Sequence, residues 1–220
     1  MSYVVLEGLE CAGKSYLVEQ LGEIYKSRLV HEPYAETSKC AKIREMVRGE
    51  EVTGDEATKL LVETRIEMFN KLHIYARVNS SGYLIGDRSF ITNMVYQGVT
   101  DEEMERIMVE NVETLKQKGF NLLPHIVVYL KVPFEVANER IQKRGILNNL
   151  DALVMEEKTY LEMQGRYERA LDMLHRAHKH VKIITITHET PIKNLCELID
   201  AHMRTVDTII VRKFKDAVPA

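Results

Sequence analysis

Tyr3-Val-Val-Leu-Glu-Gly-Leu-Glu-Cys-Ala-Gly-Lys-Ser15 decides the fold of this chain. Val4, Val5 and Leu6 form a short apolar run suited to a buried strand. Gly8, Gly13, Lys14 and Ser15 then complete G-x-x-x-x-G-K-[ST], a phosphate-binding P-loop, with Leu9, Glu10, Cys11 and Ala12 inside it. Tyr16, Leu17, Leu21 and Ile24 follow at the spacing of one helical face, so the motif has the strand–loop–helix context it needs. The glycines let backbone N–H groups turn toward an anion at a helix N-terminus, whose dipole favours negative charge. Lys14 adds a mobile positive charge for the β- and γ-phosphates, and Ser15 offers a hydroxyl to Mg²⁺.

Outward from this segment, strand and helix alternate. Strands are expected at 3–7, 28–32, 83–87, 125–131 and 181–186. Helices are expected near 14–27, 38–48, 55–79, 90–97, 101–118, 133–144, 152–177 and 190–206. Tyr83-Leu-Ile-Gly-Asp87 and Ile126-Val-Val-Tyr-Leu130 are nearly continuous apolar runs, as in a parallel sheet covered on both faces. The alternation predicts an α/β, three-layer P-loop NTPase fold: a five-stranded parallel sheet flanked by helices. In such sheets ligands sit beyond the carboxyl ends of the strands, where Glu7, Glu32, Asp87 and Lys131 fall. Pro133 suits the first turn of a helix and Gly145 its end. Residues 145–151 read as a flexible connection, so we expect one domain over 1–208 with a short lid near 145–152. Residues 209–220 are read as a C-terminal tail with a solvated basic end.

The 220 residues fit one such domain, and 45% hydrophobic residues supply a core. A net charge of −3 with no basic stripe argues against nucleic acid as a partner. No apolar run approaches the length of a membrane span, and no basic-then-apolar leader opens the chain, so a cytoplasmic location is expected. Cys11, Cys40 and Cys196 are odd in number, widely separated and without zinc spacing, which suits a reducing compartment. The eight histidines show no metal-ligand spacing.

A P-loop names a triphosphate site but no reaction. Asp87 ends a strand and Arg88 follows at once. An Asp there holds Mg²⁺ directly or through water, and an Arg bridges phosphates as charge builds in phosphoryl transfer.

Four motifs between residue 5 and about residue 170 resemble the thymidylate kinase family of nucleoside monophosphate kinases. Glu7-Gly-Leu-Glu-Cys-Ala-Gly-Lys-Ser15 is similar to E-G-x-[DE]-x-x-G-K-[ST]. His31-Glu-Pro33 with Lys42-Ile-Arg44 resembles R-E-P followed by K-[IL]-R. Asp87-Arg-Ser-Phe-Ile-Thr-Asn-Met-Val-Tyr-Gln-Gly98 is similar to D-R-Y-x-x-S-x-x-A-Y-Q-G. His125–Gly145 follows P-D-x-x-x-Y-L-x-V-P-P-E-V-A-x-E-R-I-x-x-R-G. The resemblance implies phosphorylation of dTMP to dTDP by ATP and Mg²⁺, for dTTP synthesis. It implies ATP contacts from Gly8, Leu9, Glu10, Cys11, Ala12, Gly13, Lys14, Ser15, Tyr16 and Arg140, and metal contacts from Ser15 and Asp87. It implies acceptor contacts from Glu10, Pro33, Arg44, Leu61, Arg65, Arg88, Thr92, Asn93, Tyr96 and Gln97. Lys14, Asp87, Arg88, Glu10 and the lid-flanking Arg144 are the expected catalytic set. It also implies a homodimer built on the 55–79 helix.

Plainer readings stand beside these. Arg65 is a solvated helix residue, Tyr96 is core packing, Arg140 pairs with Glu139 or Glu135, Glu10 is a solvated loop acid, and 55–79 is a core-facing helix. The chain also departs from the family pattern. His31 and Ser89 stand where the family has Arg and Tyr, Leu61 where it often has a stacking Phe, and Asp151-Ala152 where many members have Asp-Arg. Asp87-Arg-Ser89 also fits deoxyribonucleoside kinases, in which a carboxylate such as Glu32 deprotonates a 5′-hydroxyl. Another deoxynucleoside monophosphate kinase and a nucleotide-dependent switch are the further alternatives.

Overall fold

The computed structural model describes residues 2–78, 82–120, 123–145, 151–152 and 154–217. β1 (Ser2–Glu7) enters the P-loop, which opens α1 (Lys14–Tyr25). Next come β2 (Arg28–His31), α2 (Ser38–Arg48), α3 (Gly54–Val78), β3 (Tyr83–Asp87), α4 (Phe90–Gln97) and α5 (Asp101–Gln117). β4 (Ile126–Leu130), α6 (Phe134–Arg144), α7 (Glu157–Ala177), β5 (Lys182–Ile186) and α8 (Ile192–Ala217) complete the chain. The strands form one parallel sheet in the order β2-β3-β1-β4-β5.

The twofold alternation of strand side chains builds two cores, one on each face of the sheet. Tyr3, Val5, Leu84, Val127 and Tyr129 face α3, α4, α5 and α7 and pack with Met68, Leu72, Met94, Tyr167 and Leu174. Val4, Leu6, Ile85, Ile126 and Val128 face the other way, onto Val18 and Leu21 of α1 and Leu195, Ile199 and Met203 of α8. The register sets Leu6 beside Asp87 and His31 beside the same Asp87, so the carboxyl ends of β1, β2 and β3 finish level.

Two helix boundaries differ from expectation by more than two residues. α7 begins at Glu157 rather than 152; Asp151 and Ala152 belong to a separate helical turn. α8 runs to Ala217 rather than ending near 206, so most of the expected tail is helical. Its cause is legible: no glycine or proline lies between Pro191 and Pro219 to stop the helix. Of the expected lid, residues 146–150 lie outside the described residues. On α3, Leu61, Met68, Phe69 and Leu72 are buried and Leu60 and Ile66 half-buried, so this face serves the core; Tyr75's side chain lies outside the described set.

Gly8 turns the chain out of β1 at φ 148°, and a Cβ there would meet the Leu130 carbonyl oxygen at 2.8 Å. Both the dihedral and the close approach demand glycine. Gly8→Ala is expected to cost more than about 1 kcal/mol of stability in urea denaturation. An unchanged midpoint would contradict this packing of the loop on β4.

Candidate active site

The P-loop wraps the N-terminus of α1, with Gly13 at the N-cap in the left-handed region and Cys11 also at positive φ. Lys14 is almost fully buried and its Nζ donates to the Leu9 carbonyl at 2.7 Å. Burial, seconded by the nearby Arg88 guanidinium, pulls the Lys14 pKa from 10.5 down to about 8. Ser15 Oγ donates to Asp87 Oδ2 at 2.7 Å, joining the loop to the end of β3. Burial would raise the Asp87 pKa, but His31, Lys14 and Ser15 outweigh it and hold it at about 2. His31 Nδ1 lies 3.6 Å from Asp87 Oδ2, so His31 supports the carboxylate from β2.

Arg88 adopts φ 73°, unusual for a bulky side chain, and its N–H donates to the Leu6 carbonyl at 2.9 Å. This conformation folds the guanidinium back over the loop. Nη2 donates to Glu10 at 2.5 Å, while Nη1 is 3.4 Å from the Gly8 carbonyl and 3.3 Å from both Thr92 and the Tyr167 hydroxyl. Strain of this kind collects at functional sites. Beneath it Glu7 is wholly buried and accepts from Ser89 Oγ at 2.6 Å, Thr92 Oγ1 at 2.7 Å and the Tyr167 hydroxyl at 3.3 Å. Burial still leaves the Glu7 pKa raised. For Glu10 the balance reverses: burial raises it, yet Arg88 and Lys14 bring the pKa below its usual value.

Two cavities meet at this point. A cleft of about 960 Å³ runs along the loop, with Lys14, Ser15, Asp87, Arg44, Arg140 and Arg144 in its wall. A smaller, more enclosed cavity of about 380 Å³ lies beside it, walled by Leu61, Arg65, Thr92, Asn93, Tyr96 and Gln97. Glu10, Glu32, Pro33, Arg48 and Arg88 line both. The larger cleft thus adjoins the smaller pocket, with Arg88 in the wall of both.

Most expected site residues converge here, with instructive differences. Gly8, Leu9 and Ala12 do not line the cleft; Leu9 and Ala12 are buried supports of the loop. Arg140 pairs with neither Glu139 nor Glu135. Its Nη1 donates to the Cys11 and Ala12 carbonyls at 3.1 and 2.7 Å and so braces the loop from α6. Arg144 bonds the buried Asp151 at 2.5 Å. Gln97 spends its Oε1 on the Gly54 N–H at 2.7 Å, anchoring the start of α3. Tyr96 packs its ring 6.0 Å from the Arg88 guanidinium, a cation–π distance.

Arg65 is no surface residue: it is 2% exposed and forms a buried ion pair with Glu32, Nε to Oε2 at 2.6 Å. Its Nη1 donates to Asn111 at 2.6 Å and to Asn93 at 3.4 Å, leaving Nη2 for a ligand. Asn111, Tyr167 and Arg48 escaped the sequence reading. Asn111 carried a signal, because a lone polar residue on α5 falls in line with Met104, Ile107, Met108 and Leu115.

The Ser15–Asp87 pair also fits a magnesium ion. Asp87 Oδ1 is buried with no hydrogen-bond partner. Mg²⁺ needs only one or two protein oxygens beside phosphate and water, so the lack of a cluster of three ligating side chains among the described residues is no obstacle.

Comparisons with known proteins point to one family. A family model described as thymidylate kinase matches residues 6–199. The thymidylate kinase of Campylobacter lari is 24% identical over 198 residues, covering 90% of this chain and 96% of the relative. That of Baumannia cicadellinicola is 27% identical over 203 residues, covering 88% and 90%. The solved structure of thymidylate kinase from Candida albicans superposes with a TM-score of 0.66 over 92% of both chains, at 18% identity, a likeness of fold.

Two outcomes are expected from the site itself. Arg65→Leu leaves the Glu32 carboxyl buried and unpaired and is expected to cost about 3–5 kcal/mol in chemical denaturation, part of which Glu32→Gln restores. A neutral Arg65→Leu would refute the buried pair. For Lys14, the folded state binds fewer protons than the unfolded chain between pH 8 and 10.5, so this group adds stability as pH rises through that window. A bound triphosphate raises the Lys14 pKa again. Calorimetry of MgATP binding in buffers of different ionisation enthalpy is therefore expected to show proton uptake at about pH 8.5. Buffer-independent heats at that pH would contradict it.

Proposed function

The chain belongs to the thymidylate kinase family, and we propose that it transfers the γ-phosphoryl group of ATP to dTMP, giving dTDP for dTTP synthesis. The observation that carries this reading is the junction of the two cavities at Arg88 and Glu10, which sets a phosphate cleft against a pocket of nucleoside size. Phosphoryl transfer asks the protein for alignment and charge rather than covalent chemistry. The acceptor oxygen belongs to a phosphate monoester that is already anionic, so no strong base is required.

In this reading Lys14 leaves the Leu9 carbonyl for the β- and γ-phosphates, and the loop N–H groups hold their oxygens. Ser15 and Asp87 would hold Mg²⁺, which neutralises phosphate charge when bound. Arg88 bridges donor and acceptor phosphates while Glu10 steadies it and approaches the sugar 3′-hydroxyl. Arg65 presents Nη2 to the base edge, and Leu61, Thr92, Asn93 and Tyr96 complete the pocket. Arg144 acts from the lid side. Glu32 is committed to Arg65, which weighs against its service as base toward a nucleoside hydroxyl. A homodimer through the α3 region and a cytoplasmic setting belong to the same proposal; among the described residues no helix is long and apolar enough to cross a membrane.

The test is ADP release from ATP and Mg²⁺ with dTMP, dUMP, dGMP and thymidine offered separately. Release is expected to depend on dTMP, and Lys14→Ala to lower it by on the order of 10²-fold or more. Turnover with thymidine but not dTMP would move the chain to the nucleoside kinases. A folded Lys14→Ala protein with normal turnover would remove the P-loop from the mechanism.

A further inference from the structure

Arg65 enters the wall of the smaller cavity with two of its three guanidinium nitrogens already engaged. Nε donates to Glu32 Oε2 at 2.6 Å, and Nη1 donates to Asn111 Oδ1 at 2.6 Å and Asn93 Oδ1 at 3.4 Å. Nη2 makes no hydrogen bond among the described residues. A guanidinium prefers to grip a carboxylate as a fork, two nitrogens on two oxygens. Here the fork is incomplete: Glu32 Oε1 is buried and has no partner. Glu32 therefore holds one corner of the group and does not by itself set its tilt. Because the guanidinium is planar, the second bond, at Nη1, decides where Nη2 points.

That second bond comes from outside the pocket. Asn111 is wholly buried and lies on α5, which contributes no residue to the wall of either cavity. It interrupts the apolar face of Met104, Ile107, Met108 and Leu115. An Asn in mid-helix is a poor helix former, and a buried amide must find partners for both its ends. Asn111 finds them. Its Nδ2 donates to the Ile107 carbonyl at 2.8 Å and to Asn93 Oδ1 at 3.4 Å, so Oδ1 faces Arg65. Turning the amide over would set its N–H groups against the guanidinium and its oxygen against a carbonyl. Asn93 closes the circuit by donating to Thr58 Oγ1 at 3.2 Å. A local sequence cost repaid in this way marks a position under functional constraint.

We propose that Asn111 is a positioning residue for recognition of the acceptor base: it holds the Arg65 guanidinium out of a complete fork with Glu32, so that Nη2 stays free in the nucleoside pocket. The inference rests on the reading of the chain as a dTMP kinase and concerns a residue that touches no ligand. Without the Asn111 acceptor, the complete fork becomes the better arrangement, and Nη2 turns onto Glu32 Oε1 and away from the base. With it, the base meets a donor already in place, and binding does not have to order the side chain.

The experiment compares wild type with Asn111→Leu and the smaller Asn111→Ala, which both remove the acceptor, and with Asn111→Asp, which keeps an oxygen facing Arg65. It reads KM and kcat for dTMP, inhibition by 2-deoxyribose 5-phosphate, which has the sugar and phosphate but no base, and the melting temperature without ligand. The Leu and Ala variants are expected to raise the dTMP KM about 10- to 100-fold while kcat changes far less. Inhibition by the base-less compound is expected to stay within about twofold, since it makes no contact with Nη2. Asn111→Asp is expected to recover most of the dTMP KM even though its second oxygen faces the Ile107 carbonyl and lowers the melting temperature. An unchanged dTMP KM in a folded Leu or Ala variant, an equal weakening of dTMP and the base-less compound, or an Asp variant as impaired as Leu would overturn the role of Asn111. Failure of the wild-type protein to turn over dTMP would instead overturn the kinase reading beneath it.

Discussion

The active-site end of this molecule depends on the parallel pairing of β1 with β3, in the register that sets Leu6 beside Asp87. The Arg88 N–H continues that ladder onto the Leu6 carbonyl, and Ser15 closes onto Asp87 across the same gap. The loop from one strand and the Asp-Arg pair from the other, more than seventy residues apart in sequence, are thereby held as one surface. A slip of one residue would turn Asp87 to the opposite face of the sheet and separate the two halves of the cleft. Both strands are buried on both faces, so the apolar packing that stabilises the fold also holds the register that the site requires.

Electrostatics explains why this surface resists collapse in the absence of ligand. Buried charges are tolerated when paired, and the cleft pairs most of its own: Arg65 with Glu32, Arg88 with Glu10, Arg144 with Asp151. Asp87 shares its charge among His31, Lys14 and Ser15. The wholly buried Glu7 relies on three hydroxyl donors instead, beneath Arg88. Arg88 is thus supported from below by hydroxyls and from the side by a carboxylate. Such preorganisation lets a positive group meet developing charge without rearranging first.

Much of this was legible in the chain. Strand periodicity, the G-x-x-x-x-G-K-S loop and the Asp87-Arg88 step predicted the sheet, the loop–helix junction and the end of the sheet at which the two cavities open. Element ends agreed where glycine or proline marked them, as at Pro133 and Gly145. They failed where no breaker stood, as at the end of α8, or where the segment before α7 carried no strong cap. Helical period alone left Arg65 open between a solvated face and a buried one. Packing of α3 among α2, α4 and α5 buries the face that carries Arg65, and that packing is invisible in a one-dimensional pattern.

The sequence by itself determined the local matters: which segments are strands, where a backbone must turn through positive φ at Gly8 and Gly13, and which side chains have phosphate chemistry. These follow from steric and periodic rules that act over a few residues. Only the tertiary structure decided how the charges are shared. That Glu32 belongs to Arg65, that Arg140 braces the loop, and that Asn111 holds Arg65 from α5 are outcomes of packing distant segments together. The energy of a charge depends on what lies within a few ångströms and how much water is excluded, and neither quantity is written along the chain.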